Sequence, residues 1–368
     1  MGWGTSARRG GPGGMVLVRD ASRPPVIVRL LPMMILVTDE RAALHRAGAH
    51  HPESPERLAA VLRAAADPSL EGAIRRVDPR PATRDELRRV HDEAMLERLD
   101  AVRGLTAQLD PDTGVSPESV DIAERGAGAG LVAVDELTRG DDDAAFCVVR
   151  PPGHHATGDR AMGFCLLNNV AVTAAALVAR GERVLIADFD AHHGNGTQDI
   201  FYDEPSVLFV SWHQSPLYPG TGRATEIGGP AARGRTVNVP FPAETTGDAY
   251  LETLEQVVGP VIDAFAPTWL LISAGYDAHR DDPITEMGLS SGDYAELTLA
   301  LMTAVPPGRT IAFLEGGYDL RALERSALAT MSALVGERTH PEAPSSGSTG
   351  TLALQRVVDA VVGAHGIR

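Results

Sequence analysis

Lysine is missing altogether: all 33 basic residues in this chain of 368 are arginine, which we read as the mark of GC-rich coding rather than of function. Cysteine is nearly missing, with only Cys147 and Cys165, each in apolar surroundings and neither in a C-x-x-C pair. That excludes a disulfide framework and predicts two reduced core thiols in an intracellular, cytoplasmic protein. No apolar run has the length of a membrane span. The opening residues carry several arginines and no uninterrupted hydrophobic core, so no secretion signal is expected. Positive charge is also in deficit. The formal net charge of −16 argues against nucleic acid as a partner and favours approach of cationic molecules.

What is present is a chain with 43% apolar residues, ample for a large buried core. Residues 1–32, rich in Gly, Arg and Pro, predict a loose N-terminal extension, with Met33 or Met34 as a candidate start of translation. Residues 33–340 are then expected to form one large domain. A strand is expected from about Met33, and helical patterns run from Pro55 to about Ala101, with Ser54 and Pro55 as cap and first helical residue. After a helix over 117–137 the pattern alternates: strands at 143–149, 183–189, 206–211, 268–273 and 310–314, separated by helices at 167–180, 197–201, 248–265 and 291–304. A helix over 320–335 closes the domain. Residues 212–247 are expected to be an irregular rim segment, and 341–368 a flexible linker and last helix. This alternation predicts an α/β fold built on a single doubly wound, mostly parallel sheet with helices on both faces. No internal repeat is evident.

Four of the strands end in polar, metal-capable residues: Arg150-Pro-Pro-Gly-His154-His155, Asp188-Phe-Asp190-Ala-His192-His193-Gly-Asn195, Gly275-Tyr-Asp277, and Glu315-Gly-Gly-Tyr318-Asp319. Ligands of open parallel sheets sit at the carboxyl ends of the strands, so the four ends describe one site. Along a strand Asp188, Asp190 and His192 share a face. Two carboxylates and an imidazole, with Asp277 as the third ligand, match a catalytic zinc site that keeps an open position. A second ion would need a further carboxylate where Gly194 stands. His279 lies on the Asp277 face and is expected beside the site or on the surface rather than on the metal.

The tandem histidines stand in a proline-stiffened turn and suit a divided proton-transfer task, with Asp188 and Asn195 available as acceptors for their other ring nitrogens. Tyr318 after two glycines can donate its hydroxyl to a carbonyl oxygen. Gly163-Phe164 and Tyr218 lie where a narrow channel would have its walls. Each of these alone has a structural reading: a hydrogen-bonded strand end, a pair of turn histidines, a packed aromatic. Their convergence makes the functional reading the stronger.

These stretches, with Gly163-Phe-Cys-Leu-Leu-Asn-Asn169, Ser273-Ala-Gly-Tyr-Asp-Ala-His-Arg-Asp-Asp-Pro283 and His51-Pro-Glu-Ser-Pro-Glu-Arg-Leu58, resemble the signature blocks of zinc-dependent histone deacetylases. The similarity runs from about Met34 to Val335 and is nearest the class II and bacterial branch that includes acetylpolyamine amidohydrolases. It implies an arginase/deacetylase-like fold, zinc on Asp190, His192 and Asp277, His155 as general base and acid, His154 with Asp188 as its electrostatic partner, and Tyr318 polarising the carbonyl. It further implies substrate contacts at Gly163, Phe164, Tyr218 and Asp112, a monovalent cation (K+) on Asp188, Ser211 and main-chain carbonyls, and Arg57 at an inner acetate channel. Two positions distinguish this chain. Asn195 is the neutral partner of His155, as in class II, and Ile284 stands where polyamine-selective relatives can carry glutamate.

The expected activity is metal-dependent removal of acetyl or short acyl groups from acyl-lysine in peptides and proteins, or from acetylated polyamines. Zinc (Zn2+) and ferrous iron (Fe2+) both suit such donors. A non-catalytic acyl-amine binding protein and an arginase-like ureohydrolase with two manganese ions are the alternatives. Neither nucleic acid nor membrane is expected as a partner, and the oligomeric state is open.

Overall fold

The protein is described here by a computed structural model covering residues 15–18, 26–29, 33–140, 142–338 and 341–366. Within the expected N-terminal extension, Met15–Val18 and Val26–Arg29 pair as an antiparallel hairpin; the rest of residues 1–32 lies outside the described residues.

Eight strands form the main sheet: β1 (Met34–Thr38), β2 (Ile74–Val77), β3 (Ala144–Val148), β4 (Val184–Asp188), β5 (Val207–Gln214), β6 (Thr236–Phe241), β7 (Trp269–Ala274) and β8 (Thr310–Leu314). Their order is β6-β5-β4-β7-β8-β3-β1-β2, and every neighbouring pair is parallel. The central strands are apolar at nearly every position because helices cover both faces, the usual state of a parallel sheet. Alternation divides their side chains: Phe146, Leu270, Ile272 and Ala312 join one core cluster, while Cys147, Leu271, Ile311 and Phe313 join the other. Helices Pro55–Ala64, Ser291–Met302 and Leu320–Leu334 pack on the first face; Ser119–Thr138 and Asn169–Val178 pack on the second. Both cysteines are buried free thiols. Among the described residues no helix is long and apolar enough to cross a membrane.

Three local departures from the sequence reading have physical causes. Strand β2 falls in the stretch read as helical; it is four residues long, pairs on one side only and carries Arg75 and Arg76, so it has almost no strand pattern. Strand β6 falls in the segment read as irregular, because Pro240 within it argues against a strand; as the edge strand, β6 accommodates a proline that a central strand would not. The helix expected over 248–265 is interrupted by a π turn at Leu254–Val258, where the Gly259 N–H reaches back five residues to the Leu254 carbonyl. Pro260, which cannot donate to a carbonyl four residues back, follows directly.

Residues 341–350, expected as a flexible linker, are tied to the domain along their length. His279 Nε2 meets the Glu342 carboxylate at 2.8 Å, Ser345 Oγ donates to Asp293 Oδ2 at 2.6 Å, Gly347 N donates to Asp248 Oδ2 at 2.9 Å, and Thr246 N donates to Ser348 Oγ at 2.9 Å. The last helix, Leu352–His365, then lies against β6 and buries Leu354, Val358 and Val361. Burying three such side chains contributes roughly 1.5–3 kcal/mol each. A chain ending at Arg338 is therefore expected to melt on the order of 10 °C lower, with differential scanning calorimetry as the measurement; an unchanged midpoint would show that the clasp contributes nothing.

Candidate metal and catalytic site

The four polar strand ends singled out in the sequence belong to the four central, adjacent strands β4, β7, β8 and β3. Asp188 is the last residue of β4; Asp190 and His192 follow it, and Asp277 lies just past the end of β7. Ligand atoms of Asp190, His192 and Asp277 all lie within 4.8 Å of one another, and the three residues are buried. His192 Nδ1 is 3.1 Å from Asp190 Oδ1 and 3.0 Å from Asp277 Oδ2. The remaining oxygens are held by the backbone: Gly316 N donates to Asp190 Oδ2 at 2.8 Å and Ala191 N to Asp277 Oδ1 at 2.8 Å. One oxygen or nitrogen from each side chain thus lies close enough to the others to hold a single divalent ion. Burial lowers the pKa of His192, but the Asp277 and Asp190 carboxylates prevail and hold it up to about 10. The same negative field favours a cation, which would take the place of the proton.

Close packing around these ligands explains several glycines. A Cβ on Gly275 would fall 2.0 Å from Asp190 Oδ2, and one on Gly316 2.3 Å from Asp277 Oδ2. Gly194 occupies the position where a second metal would need a carboxylate. Here it makes room for Asp188 instead, its Cβ position being 2.2 Å from Asp188 Oδ2. Among the described residues one other group, His279, Asp281 and Glu342, brings three potential ligands together. Its donors are already satisfied: Asp281 N donates to His279 Nδ1 at 3.1 Å, and Arg280 and Arg325 flank Glu342. His279 is therefore not a surface group but a fully buried one, bound to the C-terminal segment.

The tandem histidines are separated electrostatically. His154 Nδ1 donates to Asp188 Oδ2 at 2.9 Å, and His155 Nδ1 donates to Asn195 Oδ1 at 2.7 Å, an acceptor that fixes the tautomer and leaves Nε2 unprotonated. Burial opposes charging of both. For His154, Asp190 and Asp188 overcome it and raise the pKa well above the histidine range; for His155, burial is reinforced by the positive charges of His154 and His192, and the pKa falls well below that range. Two adjacent imidazoles with opposite shifts can serve as a fixed cation and a neutral base. Their ring centroids are 4.1 Å apart.

Tyr318 follows the glycines after β8, and its ring packs edge-on against Phe164, centroids 5.8 Å apart, with the Arg57 guanidinium 4.9 Å from its centroid. Arg57 is fully buried and donates through Nε to the Gly317 carbonyl at 2.7 Å and through Nη2 to the Glu315 carbonyl. It pairs with Glu53, which also takes two 2.6 Å hydrogen bonds from Arg150. Burial pushes the Tyr318 phenol well above its usual pKa, despite Arg57, so it remains a donor at any physiological pH.

A cavity of about 310 Å³ opens beside these groups, lined by His154, His155, His192 and Tyr318, by the expected substrate contacts Gly163, Phe164, Tyr218 and Asp112, and by the rim residue Ile284. Gly163 has φ +56°, and a Cβ there would lie 2.5 Å from the His155 ring, so only glycine lets the chain cover that imidazole. Phe164 itself is left-handed, φ 68°, and its N–H donates to Thr113 Oγ1 at 3.1 Å. His51 braces the outside of this wall, its ring 4.5 Å from that of Phe164 and its Nε2 3.2 Å from the Asp112 carbonyl. Asp188 and Ser211, expected at a monovalent cation, are register partners on β4 and β5; the Ser211 hydroxyl meets His213 Nδ1 at 3.0 Å.

The sequence reading assigned no role to Glu53, Arg150, Asp282 or Glu315. The Glu315 carboxylate accepts the N–H groups of Gly153 at 2.6 Å and His154 at 3.2 Å, anchoring the histidine turn, and burial pushes its pKa up to about 7. The available signal was position: each of the four lies inside a block already quoted for its neighbours.

The histone deacetylase domain, as a protein-family model, matches residues 51–334. A probable deacetylase of Archaeoglobus fulgidus is 37% identical over 308 residues, covering 82% of this chain and 86% of the relative. A histone deacetylase-like amidohydrolase of Pseudomonas aeruginosa is 36% identical over 306 residues, covering 80% and 79%. Among solved structures, the crystal structure of the HDA15 HD domain matches with a TM-score of 0.84 at 35% identity, covering 91% of this chain and 94% of that one.

The packing predicts that Gly316→Ala, which would put a methyl group 2.3 Å from Asp277 Oδ2 and 2.6 Å from Asp190 Oδ2, displaces the ligands. Metal analysis of the purified variant is expected to give well under one ion per chain, with stability lowered by about 1–3 kcal/mol. Full metal occupancy would show that the ligand cluster tolerates the methyl group.

Proposed function

The chain belongs to the histone deacetylase family, and we propose that it is a zinc-dependent amidohydrolase that removes acetyl or short acyl groups from acyl-lysine side chains, with acetylated polyamines as the second substrate class. The observation that carries this reading is the convergence of the Asp190, His192 and Asp277 donors, the divided histidine pair and Tyr318 on one narrow cavity. When bound, zinc supplies the Lewis acidity that acidifies water and polarises a carbonyl; ferrous iron suits the same donors.

The side chains supply the rest. Unprotonated Nε2 of His155 takes a proton from the attacking water as its oxygen bonds to the acyl carbon, and returns that proton to the nitrogen as the C–N bond breaks. His154, held protonated by Asp188, keeps a positive charge beside the reacting atoms. The Tyr318 hydroxyl donates to the acyl oxygen as negative charge develops there. Phe164 and Tyr218 flank the alkyl chain, with Gly163 allowing close approach, and Asp112 at the rim accepts from the substrate backbone. Ile284 offers a polyamine no anion, which favours acyl-lysine. Arg57 serves the inner end where the acid product leaves, and a monovalent cation (K+) on Asp188, Ser211 and neighbouring carbonyls would steady the β4 terminus.

A chromogenic acetyl-lysine amide tests the activity: hydrolysis is expected to disappear with a chelator and return with zinc, and chelator-insensitive turnover would refute metal dependence. His192→Ala is expected to lose the ion. Tyr318→Phe is expected to keep it and lose on the order of 10²–10³ in kcat. In a competition panel, acetyl-lysine peptides should outpace acetylputrescine and acetylspermidine; the reverse order would transfer the assignment to polyamines. The pH dependence has a definite sign. Because His155 must be neutral and its pKa is lowered, activity should persist as pH falls through the ordinary histidine range near about 6.5 and fail only below it. Asn195→Asp, which places a carboxylate charge beside His155 Nδ1, should move that acid limb upward; an unmoved limb would remove His155 as the titrating base.

A further inference from the structure

Tyr318 is placed by a segment with almost no side-chain packing of its own. Gly316 and Gly317 precede it, and Gly317 has φ +115°, so apart from the ring's contacts with Phe164 and Arg57 the position of the phenol rests on what the backbone is bonded to. Three of these anchors belong to groups already described: Asp190 receives Gly316 N, Tyr276 N donates to the Gly316 carbonyl at 3.0 Å, and Arg57 donates to the Gly317 carbonyl. The fourth is the carboxylate of Asp282. Its Oδ2 accepts the N–H of Tyr318 itself at 2.7 Å and that of Asp319 at 3.3 Å. Its Oδ1 accepts the N–H of Ile284 at 3.1 Å, in the rim segment that lines the cavity. Asp282 is 7% exposed, and among the described residues its carboxylate has these three backbone donors as hydrogen-bond partners and no arginine. A buried carboxylate spent on three amides is costly unless the amides must be held.

We propose that Asp282 is the positioning residue for Tyr318, and that the same carboxylate locks the rim at Ile284 to the loop carrying the phenol. One oxygen pulls on the backbone of the residue that donates to the acyl oxygen, and the other pulls on the wall the substrate passes. Displacement of a reacting group by about 1 Å costs on the order of 100-fold in rate, so an anchor of this kind acts on turnover more than on binding. The inference rests on the role of Tyr318 in acyl transfer given above.

The test is a double-mutant cycle on the zinc-loaded full chain: wild type, Asp282→Asn, Tyr318→Phe and the double variant, each with kcat, KM, zinc content and melting temperature. Asp282→Asn keeps one acceptor oxygen and the shape of the side chain; Asp282→Ala, which keeps neither, provides the graded second variant. The expected result is one zinc per chain throughout, kcat falling on the order of 10- to 100-fold in Asp282→Asn and further in Asp282→Ala, with KM nearly unchanged. In the Tyr318→Phe background, Asp282→Asn should cost almost nothing more, because the hydroxyl it positions is gone. If Asp282→Asn costs the same factor in both backgrounds, or lowers kcat only in step with zinc content, Asp282 is structural and the proposal is overturned while the role of Tyr318 stands. If Tyr318→Phe alone turns over normally, the role of Tyr318 fails first and the positioning role falls with it. Should Asp282→Ala not fold, the Asp282→Asn cycle decides alone.

Discussion

Like charges buried side by side are the constraint around which this site is built. Asp188, Asp190 and Asp277 sit fully desolvated at the ends of two adjacent strands, where mutual repulsion and lost hydration would each cost several kcal/mol. The chain compensates locally. Backbone N–H groups of residues 190, 191, 192 and 316 point at the carboxylates, and two imidazoles bring positive charge within reach. What the protein does not neutralise by itself is a negative field around three donors that could hold one divalent cation. The raised pKa of His154 and the lowered pKa of His155 are two consequences of this one arrangement.

A second buried charge system lies on the other side of Tyr318. Glu53 is shared by Arg57 and Arg150 in a buried cluster that keeps a net positive charge, and Arg57 grips two carbonyls of the segment after β8. Removing one member would strand the others, so such clusters specify geometry more than they stabilise. The phenol is thereby held between a cationic network behind it and an anionic one beside it, and its ring is set against Phe164.

Much of this was legible in the residues because the fold and the chemistry share one signal: an apolar strand that stops at a polar burst. The four central strands announce themselves that way, and side-chain alternation alone puts Asp188, Asp190 and His192 on one face. The edge strands β2 and β6 do not, since one is half charged and the other contains a proline. The C-terminal segment read as loose for its Ser and Gly content, yet those small polar side chains are what bind it to Asp248 and Asp293. Hidden most thoroughly were the buried charges. Glu53 and Arg150 are 97 residues apart, Arg57 and Gly317 260 apart, and nothing in a single sequence distinguishes such an arginine from one in water.

The strand order carries a consequence for how the molecule comes into being. Strands β7 and β8, which lead to Asp277 and Tyr318, are the last of the sheet to be synthesised, yet they lie between β4 and β3 at its centre. Before they arrive, the earlier strands can form only two separate flaps, β1 to β3 and β4 to β6, with no shared edge. Closure of the sheet and the meeting of Asp190 and His192 with Asp277 therefore fall together, late in synthesis, once the ribosome has delivered most of the polypeptide. Until then the three side chains cannot act as one set of donors.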